Sequence, residues 1–353
     1  MKIKGEYFKR CMEANIFRAS EGVLSIHSYA KDGSGIIRKL VNDADTDKTE
    51  EMTFFLTKSD ADVVSSFKDL DVSFNEKTNT ITFESAGTKC RFQNVQSIKE
   101  PEPPIKDAKP VFFTLAELKA AAAVADLDEK HPDNKGAGIL VGTDSLITYD
   151  KQLSLYYRHN GGEGSGAADP VRIPVTAIKL ADSGKTYNLR LSDKAVVLMA
   201  DSEIIYSSVY PGYTLSFLDY DPKPAGNILI GKDHVKDFVN HIKMCSMFDQ
   251  NVRITPDGDS LHIENYLNLE NPRVYEANVP ASSNIESYSM LLNARGMLKL
   301  LAALDVINGE DLTLLVDDKM VRVDSSNDFV VMAATLNAQN VQLKLKGEAD
   351  GNG

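Results

Sequence analysis

Two stretches of the chain carry residue types that could bind a metal ion or a phosphate. The acidic run 43–51 (DADTDKTEE) spaces its carboxylates as a calcium loop does. Lys48 stands where such a loop needs glycine, and Phe54 stands where it needs its last glutamate, so we interpret the run as a solvated loop. The glycine-rich run 161–166 (GGEGSG) is not followed by Gly-Lys-Ser/Thr and opens no predicted helix, which argues against a phosphate-binding loop.

The histidines and cysteines give no better candidate for a catalytic or metal site. The histidines show neither a His-Glu-x-x-His pattern nor a Cys-His spacing; they are His27, His131, His159, His234, His241 and His262. Cys11, Cys90 and Cys245 are odd in number and far apart, so we expect buried thiols rather than a disulfide framework. No Ser/His/Asp set or nucleophile elbow stands out either, so no motif points to a catalytic site, and we expect no cofactor and no metal.

The composition is that of an ordinary globular protein, with 42% hydrophobic and 25% charged residues. No apolar run is long enough for a membrane span, and the N-terminal residues do not resemble a signal peptide, so we expect a cytoplasmic protein without membrane contact. The net charge of −12 argues against a protein that coats nucleic acid with its whole surface. It permits a locally basic channel, and the predicted helices do carry slightly more basic than acidic residues.

One arrangement of strands and turns recurs along the chain at a spacing of about a hundred residues. Residues 192–208 (SDKAVVLMADSEIIYSS) and 317–333 (DDKMVRVDSSNDFVVMA) are similar, and residues 75–93 form a looser third copy. Proline and charge concentrate at 97–110 and 218–226, which predicts extended, exposed linkers. We therefore divide the chain into three duplicated domains and a flexible tail, at residues 1–97, 110–218, 226–336 and 337–353.

Each domain is predicted to contain two halves, and each half follows the order β-α-β-β-β. The helices are predicted from apolar residues at i, i+3, i+4 and i+7, and the strands from short, alternating, β-branched runs. The predicted helices span residues 6–17, 58–70, 115–126, 175–182, 232–245 and 294–304. The first half of the first domain lacks a clear third strand. The expected fold class is α+β, with the helices packed on one face of the sheets.

Two motifs carry a resemblance to a known family. Residues 210–217 read YPGYTLSF, and residues 329–336 read FVVMAATL. Together with the domain arrangement, they resemble the bacterial DNA sliding clamp, the beta subunit of DNA polymerase III. Gly212 replaces an acidic residue of the family's first motif, and Ala333 replaces a proline of its second. The resemblance covers residues 1–336, and these departures indicate a divergent, phage or prophage-like member.

The resemblance implies a function without catalysis. Two three-domain chains would close head to tail into a six-domain ring around double-stranded DNA, which the ring would encircle without reading its sequence. Such a homodimer would act as a processivity factor. It would tether the replicative DNA polymerase, the clamp loader and other replication and repair proteins through short peptide motifs that enter a hydrophobic pocket.

The resemblance also implies three sets of site residues. The partner-peptide pocket would be formed by Leu153, Pro211, Leu215, Ser216, Val330, Val331 and Met332. The DNA-facing basic residues would be Lys9, Arg10, Lys119, Lys179, Lys232, Lys236, Lys243, Arg295 and Lys299. The dimer interface would include Cys90, Phe92, Met247 and Phe248. Leu215 and Gln152 stand where the family groups an Arg and a His in the pocket, so we expect a different peptide preference.

A second hypothesis involves no DNA. Under this alternative, the chain is an acidic, multidomain, β-rich protein-binding module or a hydrolase with a dispersed site, and its duplication is unrelated to clamps. Each pocket residue is then an ordinary core residue, and each basic helix face is an ordinary solvated face. The mass in solution and the behaviour on circular DNA distinguish the two hypotheses.

Overall fold

A computed structural model describes most of the chain. The described residues are 2–20, 22–41, 52–94, 100–111, 113–125, 138–142, 145–149, 154–159, 171–211, 226–265, 274–305, 311–317, 320–324, 329–334 and 344–345. The chain divides into two compact units. The first unit comprises Met1–Val111 and Thr176–Tyr210, and the second comprises Phe112–Val175 and Pro211–Gly353.

The described elements are mostly short strands. The strands are β1 Lys2–Lys4, β2 Ala14–Ser20, β3 Val23–Tyr29, β4 Gly35–Val41, β5 Met52–Thr57, β6 Asp69–Asn75, β7 Thr80–Ser85, β8 Thr88–Gln93, β9 Lys109–Pro110, β10 Ile139–Val141, β11 Ser145–Tyr149, β12 Ser154–His159, β13 Val171–Ile173, β14 Asn188–Leu191, β15 Ala195–Ala200, β16 Glu203–Ser208, β17 Tyr210–Pro211, β18 Gly226–Ile230, β19 Asn251–Asp257, β20 Ser260–Asn265, β21 Glu276–Pro280, β22 Ser282–Ser283, β23 Ile285–Ser287, β24 Met290–Asn293, β25 Leu312–Val316, β26 Met320–Asp324, β27 Phe329–Ala334 and β28 Lys344–Leu345. The α-helices are α1 Lys58–Ser65, α2 Leu115–Val124, α3 Val175–Lys179, α4 Lys232–Phe248 and α5 Ala294–Asp305.

Long sheets join strands from distant parts of the sequence. In the first unit, one sheet has the order β1-β6-β7-β8 and the other has β5-β2-β3-β4-β16-β15-β14-β9. In the second unit, one sheet has the order β21-β20-β19-β24, and a larger one runs β13-β10-β11-β12-β27-β26-β25-β18-β22. The strands that link the two halves of each large sheet are antiparallel, β4 to β16 and β12 to β27. The expected α+β class is confirmed.

The helix predicted for residues 6–17 is wrong. The segment begins with a 3₁₀ helix, Gly5–Phe8, and then enters strand β2. The buried Asn15 explains the difference, because its side-chain oxygen accepts from the Met12 N–H at 2.9 Å and its amide donates to the Met12 carbonyl at 2.9 Å. These bonds fix a tight turn before the strand. The sequence pattern did not predict strand β2, which supplies the third strand that the predicted first half of the first domain lacked.

The other predicted helices are present with shifted ends. Two of them begin with a capping box, in which a threonine accepts from the backbone N–H three residues later and an acidic side chain accepts from the threonine N–H. Thr57 and Asp60 form the box of α1, and Thr114 and Glu117 form that of α2. These signals were present in the sequence, so the helix starts were predictable.

Aromatic side chains dominate the core of the first unit. Phe8, Phe17, Phe54 and Phe83 are each 1% exposed or less. The ring centroids of Phe17 and Phe54 lie 4.8 Å apart in a stacked arrangement, and those of Phe8 and Phe83 lie 5.5 Å apart edge to face. Burial of each ring contributes roughly 1.5–3 kcal/mol. The cluster draws on both sheets of the unit and thereby holds them together.

Residues 100–110 pack against the large sheet of the first unit. Ala108 is buried in a cluster with Val197 and Tyr206, and Ile105 packs against the same cluster. Lys109–Pro110 forms β9, which pairs with β14. Most residues of this described part are exposed, as predicted for a linker, but Ala108 is buried and the segment is attached to the sheet through β9.

A polar cluster fixes the start of this segment. The Arg18 guanidinium donates to both carboxylate oxygens of Glu100, and these bonds hold the pKa of Glu100 at about 2. His27 Nδ1 lies 2.6 Å from Glu100 Oε1, and its Nε2 lies 2.7 Å from the Tyr206 hydroxyl. Burial lowers the pKa of His27, so the neutral ring can donate to Glu100 and accept from Tyr206.

Tyr206 reaches His27 across a glycine. Gly35 is the register partner of Tyr206 in the β4–β16 ladder. A Cβ atom at position 35 would lie 2.3 Å from both the Cζ and the hydroxyl oxygen of Tyr206. The ring therefore needs glycine beneath it.

We predict that Gly35→Ala lowers the free energy of unfolding by about 1–3 kcal/mol, because the methyl group must displace the Tyr206 ring. Denaturant unfolding measures the loss. Gly184→Ala is the matched control, since Gly184 is exposed and its nearest contact to a new Cβ is 3.5 Å away. Equal losses in the two variants would contradict the role of Gly35.

Candidate functional site

Helix α4 separates basic, acidic and apolar side chains. Its buried residues are Phe238, Ile242 and Cys245. Lys232, Lys236 and Lys243 are exposed, and at 100° per residue they lie within about 40° of one another on the side opposite the buried face. The acidic Asp233 and Asp237 occupy a different flank. The result is a narrow basic stripe, which we call the α4 lysine stripe.

Helix α5 extends the basic character of the second unit. Arg295 is exposed and Lys299 is half-buried, and both lie opposite the buried face that contains Met297 and Leu300. Helix α5 packs against both α4 and α2, and Lys119 of α2 is half-buried. Three helices of this unit therefore form a continuous group that carries basic residues.

The first unit presents a smaller basic set. Lys9 and Lys179 are exposed. Arg10, also proposed as a DNA-facing residue, keeps 30% of its side chain exposed, and its guanidinium donates to both carboxylate oxygens of Glu203 at 2.8 and 2.9 Å. A third bond from Arg10 goes to the Leu180 carbonyl. These bonds give Arg10 a structural role.

Glu203 is the centre of a buried ionic cluster. Its side chain has no exposed surface, and it accepts hydrogen bonds from Arg10, from Lys185 Nζ at 2.9 Å and from the Tyr187 hydroxyl. Arg38, its register partner on β4, is 5% exposed and lies 4.0 Å from Cys11 Sγ. Several cations therefore surround one carboxylate.

The cluster lowers the pKa of Glu203. Burial alone would raise the pKa, but the hydrogen bonds from Arg10, Tyr187 and Lys185 outweigh it and hold the pKa at about 2. Burial, followed by the hydrogen bond to Glu203, raises the pKa of Tyr187 to about 12. Since the ionised form of Glu203 is favoured in the folded state, the cluster stabilises the fold above the ordinary glutamate range.

The proposed pocket residues fall mainly at the edge of the described part of the chain. Leu153, Leu215 and Ser216 lie outside the described residues. The backbone of Pro211 belongs to β17. The three remaining residues lie on β27; they are Val330, Val331 and Met332.

The register of β27 distinguishes its pocket candidates. Val331 is the register partner of Val323, which is 2% exposed. Met332 is instead the partner of Leu155 on β12 and of Arg322 on β26. Ser154, the first residue of β12, is the partner of Ala333 near the end of β27.

The proposed interface residues lie on strand β8 and in the last turn of helix α4. Cys90 and Phe92 are half-buried on β8, and Phe92 packs against the aromatic core. Met247 is 66% exposed in the last turn of α4. Phe248 stacks on Tyr275, with ring centroids 6.0 Å apart.

The described residues contain no group of three or more His, Cys, Asp or Glu side chains arranged to hold a metal ion. Within the same residues, no helix has the length and apolar character needed to cross a membrane.

Sequence reasoning missed the two polar clusters. Glu203 and Glu100 are single acidic residues in a strand and in a proline-rich segment, and their cationic partners lie far away in sequence. No local pattern signals such pairs. Alternation in β16 (EIIYSS) gives the only hint, because it puts Glu203 on the same strand face as Ile205, which is 1% exposed.

We predict that Glu203→Gln lowers the free energy of unfolding at pH 7 by about 3 kcal/mol, because buried cations lose their counter-charge. The pKa of Glu203 is depressed in the fold, so its contribution is complete above about pH 5 and disappears as the pH falls towards 2. The difference between wild type and variant should therefore shrink on acidification, as followed by denaturant unfolding at several pH values.

The control variant for this prediction is Glu84→Gln. Glu84 pairs with Lys89 at the same 2.9 Å, but both side chains are about half exposed, at 49% and 46%. Its loss should stay below about 1 kcal/mol. A Glu203→Gln loss no larger than this, or one independent of pH, would contradict the role of the cluster.

Comparison with solved structures identifies the fold. The beta subunit of DNA polymerase from Streptococcus pyogenes superposes with a TM-score of 0.73 at 11% identity, covering 95% of this chain and 99% of that one. The Helicobacter pylori beta clamp bound to a DNA ligase peptide gives 0.73 at 15% identity, with 95% and 100% covered. DNA polymerase III subunit beta from Borrelia burgdorferi gives 0.74 at 13% identity, with 93% and 92% covered.

No protein-family model and no curated protein sequence matches the chain. The likeness is one of three-dimensional structure, and it extends over 92–100% of the length of those chains. The chain has the fold of the bacterial DNA polymerase III beta subunits, the sliding clamps.

Proposed function

We propose that the protein is a DNA sliding clamp, a homodimeric ring that encircles duplex DNA and tethers replication proteins to it. Three domains of the same kind, at residues 1–97, 110–218 and 226–336, would make up each half of the ring. The protein would act on cytoplasmic DNA as a binding scaffold rather than as an enzyme. The observation that carries the proposal is a pair of unpaired sheet edges.

Each unit contains one four-stranded sheet with two edge strands, β1 and β8 in the first unit and β24 and β21 in the second. Among the described residues, β8 pairs only with β7, and β21 pairs only with β20. The two larger sheets continue instead across the β4–β16 and β12–β27 pairs. Pairing of β8 from one copy with β21 from another would build a third long sheet of the same kind. Two such junctions would close two chains into a ring, with no sheet edge left at the junctions.

Side chains near these two edges are complementary. The exposed residues of β8 include Lys89 and Arg91, whereas β21 begins with Glu276. Beside β21, the end of α4 exposes Met247, and Val274 is 55% exposed. Exposed apolar side chains next to an open sheet edge are typical of an interface. These features support Cys90, Phe92, Met247 and Phe248 as interface residues.

The basic helices support contact with DNA phosphates. The α4 lysine stripe and the helical residues Arg295, Lys299, Lys119 and Lys179, with Lys9 and Arg10 just after the 3₁₀ helix, supply positive charge on a chain whose net charge is −12. Lysines on a helix surface attract phosphate by charge and do not read bases. A ring that must slide needs this weak, salt-sensitive attraction, because topology rather than affinity would hold it on the DNA.

A peptide groove at β27 would recruit partners. The Helicobacter pylori beta clamp, which shares this fold, was solved with a DNA ligase peptide bound. In this chain, Val330, Val331 and Met332 on β27, with Leu153, Pro211, Leu215 and Ser216, would form the corresponding apolar pocket. Short extended segments with Leu or aromatic side chains, carried by the polymerase and the clamp loader, would fit such a pocket.

We predict that Met247→Asp converts a dimer into a monomer, because it buries a charge in the proposed interface. Sedimentation equilibrium should give twice the 38.8 kDa chain mass for the wild type and the single mass for the variant. Val63→Asp is the control, since Val63 is 46% exposed on α1 and lies outside the proposed interface. A wild-type monomer, or a Met247→Asp dimer of unchanged stability, would contradict the interface.

Encirclement predicts that binding depends on DNA topology. The protein is assembled on nicked circular plasmid by raising its concentration from the monomer range, and unbound protein is removed by gel filtration at high salt. We expect the wild type to stay on the circle and to leave once a restriction enzyme linearises it. Met247→Asp should not be retained on either form. Equal retention on circular and linear DNA would refute encirclement and favour an ordinary binding module.

A further inference from the structure

The strand β23 pairs with a segment far along the sequence. Among the described residues, its only ladder partner is β28, in antiparallel register. Ile285 is the partner of Leu345, and Ser287 is the partner of Lys344, with an irregularity between the two pairs. Residues 344–345 belong to the tail that the sequence predicted to be flexible. The structure therefore gives two of its residues a defined position.

Strand β23 is held in place by contacts within the second unit. Ile285 is 1% exposed, and its N–H donates to the Ser283 hydroxyl at 3.0 Å. Strand β23 contacts β19, and the neighbouring Tyr288 is 2% exposed. A strand anchored in this way keeps a fixed edge, which can accept another extended segment.

The sequence around β28 suits this edge. Residues 342–346 read QLKLK, in which Leu343 and Leu345 alternate with lysines. Alternation with a period of two gives an extended segment one apolar and one basic side. The observed register sets Leu345 opposite the buried Ile285, and a slip by one residue would set a lysine there instead.

The pairing is short and depends on the covalent connection. A two-residue strand is not stable by itself, so β28 persists because β23 holds it. Only nine residues separate Ala334, the end of β27, from Lys344. A tether of that length gives an effective concentration in the millimolar range, which supports an intrinsically weak contact.

We infer that the edge of β23 is a strand-docking site, occupied by the chain's own segment Lys344–Leu345 and open to replacement by an external extended peptide of the same Leu-Lys alternation. This inference is independent of the proposed clamp function. The site is distinct from both the β27 pocket and the β8 and β21 edges.

Hydrogen–deuterium exchange on the full chain tests the site in place. Leu345→Asp, and separately removal of residues 337–353, should raise the exchange rate of a fragment covering 285–289 by about tenfold or more, because the ladder is lost. Gly347→Asp adds the same charge outside β28 and should leave this rate unchanged. Unchanged exchange in the first two variants, or equal acceleration by Gly347→Asp, would overturn the assignment.

A peptide added in trans tests replacement. The peptide VQLKLKG, which copies residues 341–347, should bind the chain lacking 337–353 and restore protection at 285–289. It should bind the full chain at least about tenfold more weakly, since the tethered segment competes. A peptide with Asp at the position of Leu345 should fail in both cases. No restored protection would overturn replacement, and protection of the full chain that falls on dilution would assign the site to a second copy's tail.

Discussion

The main-chain ladder between β4 and β16 is the constraint on which the first unit depends. It joins residues that are about 170 positions apart in sequence, so its formation requires closure of a very long loop. The ladder also brings Arg38 and Glu203 opposite each other in a buried position. A buried carboxylate and a buried guanidinium both require compensation, and Arg10, Lys185 and Tyr187 supply it for Glu203. One strand pairing thereby determines which polar residues the surrounding elements must contain.

The same ladder shapes the opposite face of the sheet. Tyr206 lies above Gly35 and reaches His27, which in turn holds Glu100. Segment 100–110 is thus attached to the sheet by polar contacts at its start and by Ala108 and β9 near its end. Both faces of the sheet are covered, one by an aromatic core and the other by this segment. The second covering is held by Tyr206, which packs on Gly35, and by the contact between His27 and Glu100.

The features that could be predicted from the sequence are those that depend on residues close together along the chain. Helices α2, α4 and α5 follow from apolar spacing, and the capping boxes at Thr57 and Thr114 mark two helix starts. The fold class and the repeated strand sets also follow from local alternation. The helix prediction for residues 6–17 failed because the Asn15 side chain bonds to the backbone of Met12. Apolar periodicity does not detect such side-chain bonds. The burial of Glu203 and its hydrogen bonds with Arg10 depend on residues that only the long-range ladder brings together. The pocket residues on β27 rest on the resemblance, and the register adds only that Val331 pairs with the buried Val323.

The edges at β8 and β21, which have no second partner strand among the described residues, have a consequence for assembly. Strand β8 is basic and half-buried, whereas β21 begins with an acidic residue and adjoins an apolar helix end, so the edges are unlike. A junction between unlike edges is heterologous, and it contains no twofold axis that would limit the assembly to two copies. The angle between the two junctions that each chain makes would then fix the number of chains in the assembly. Small changes in curvature, rather than changes in the edges, would separate a closed ring from an open helical polymer.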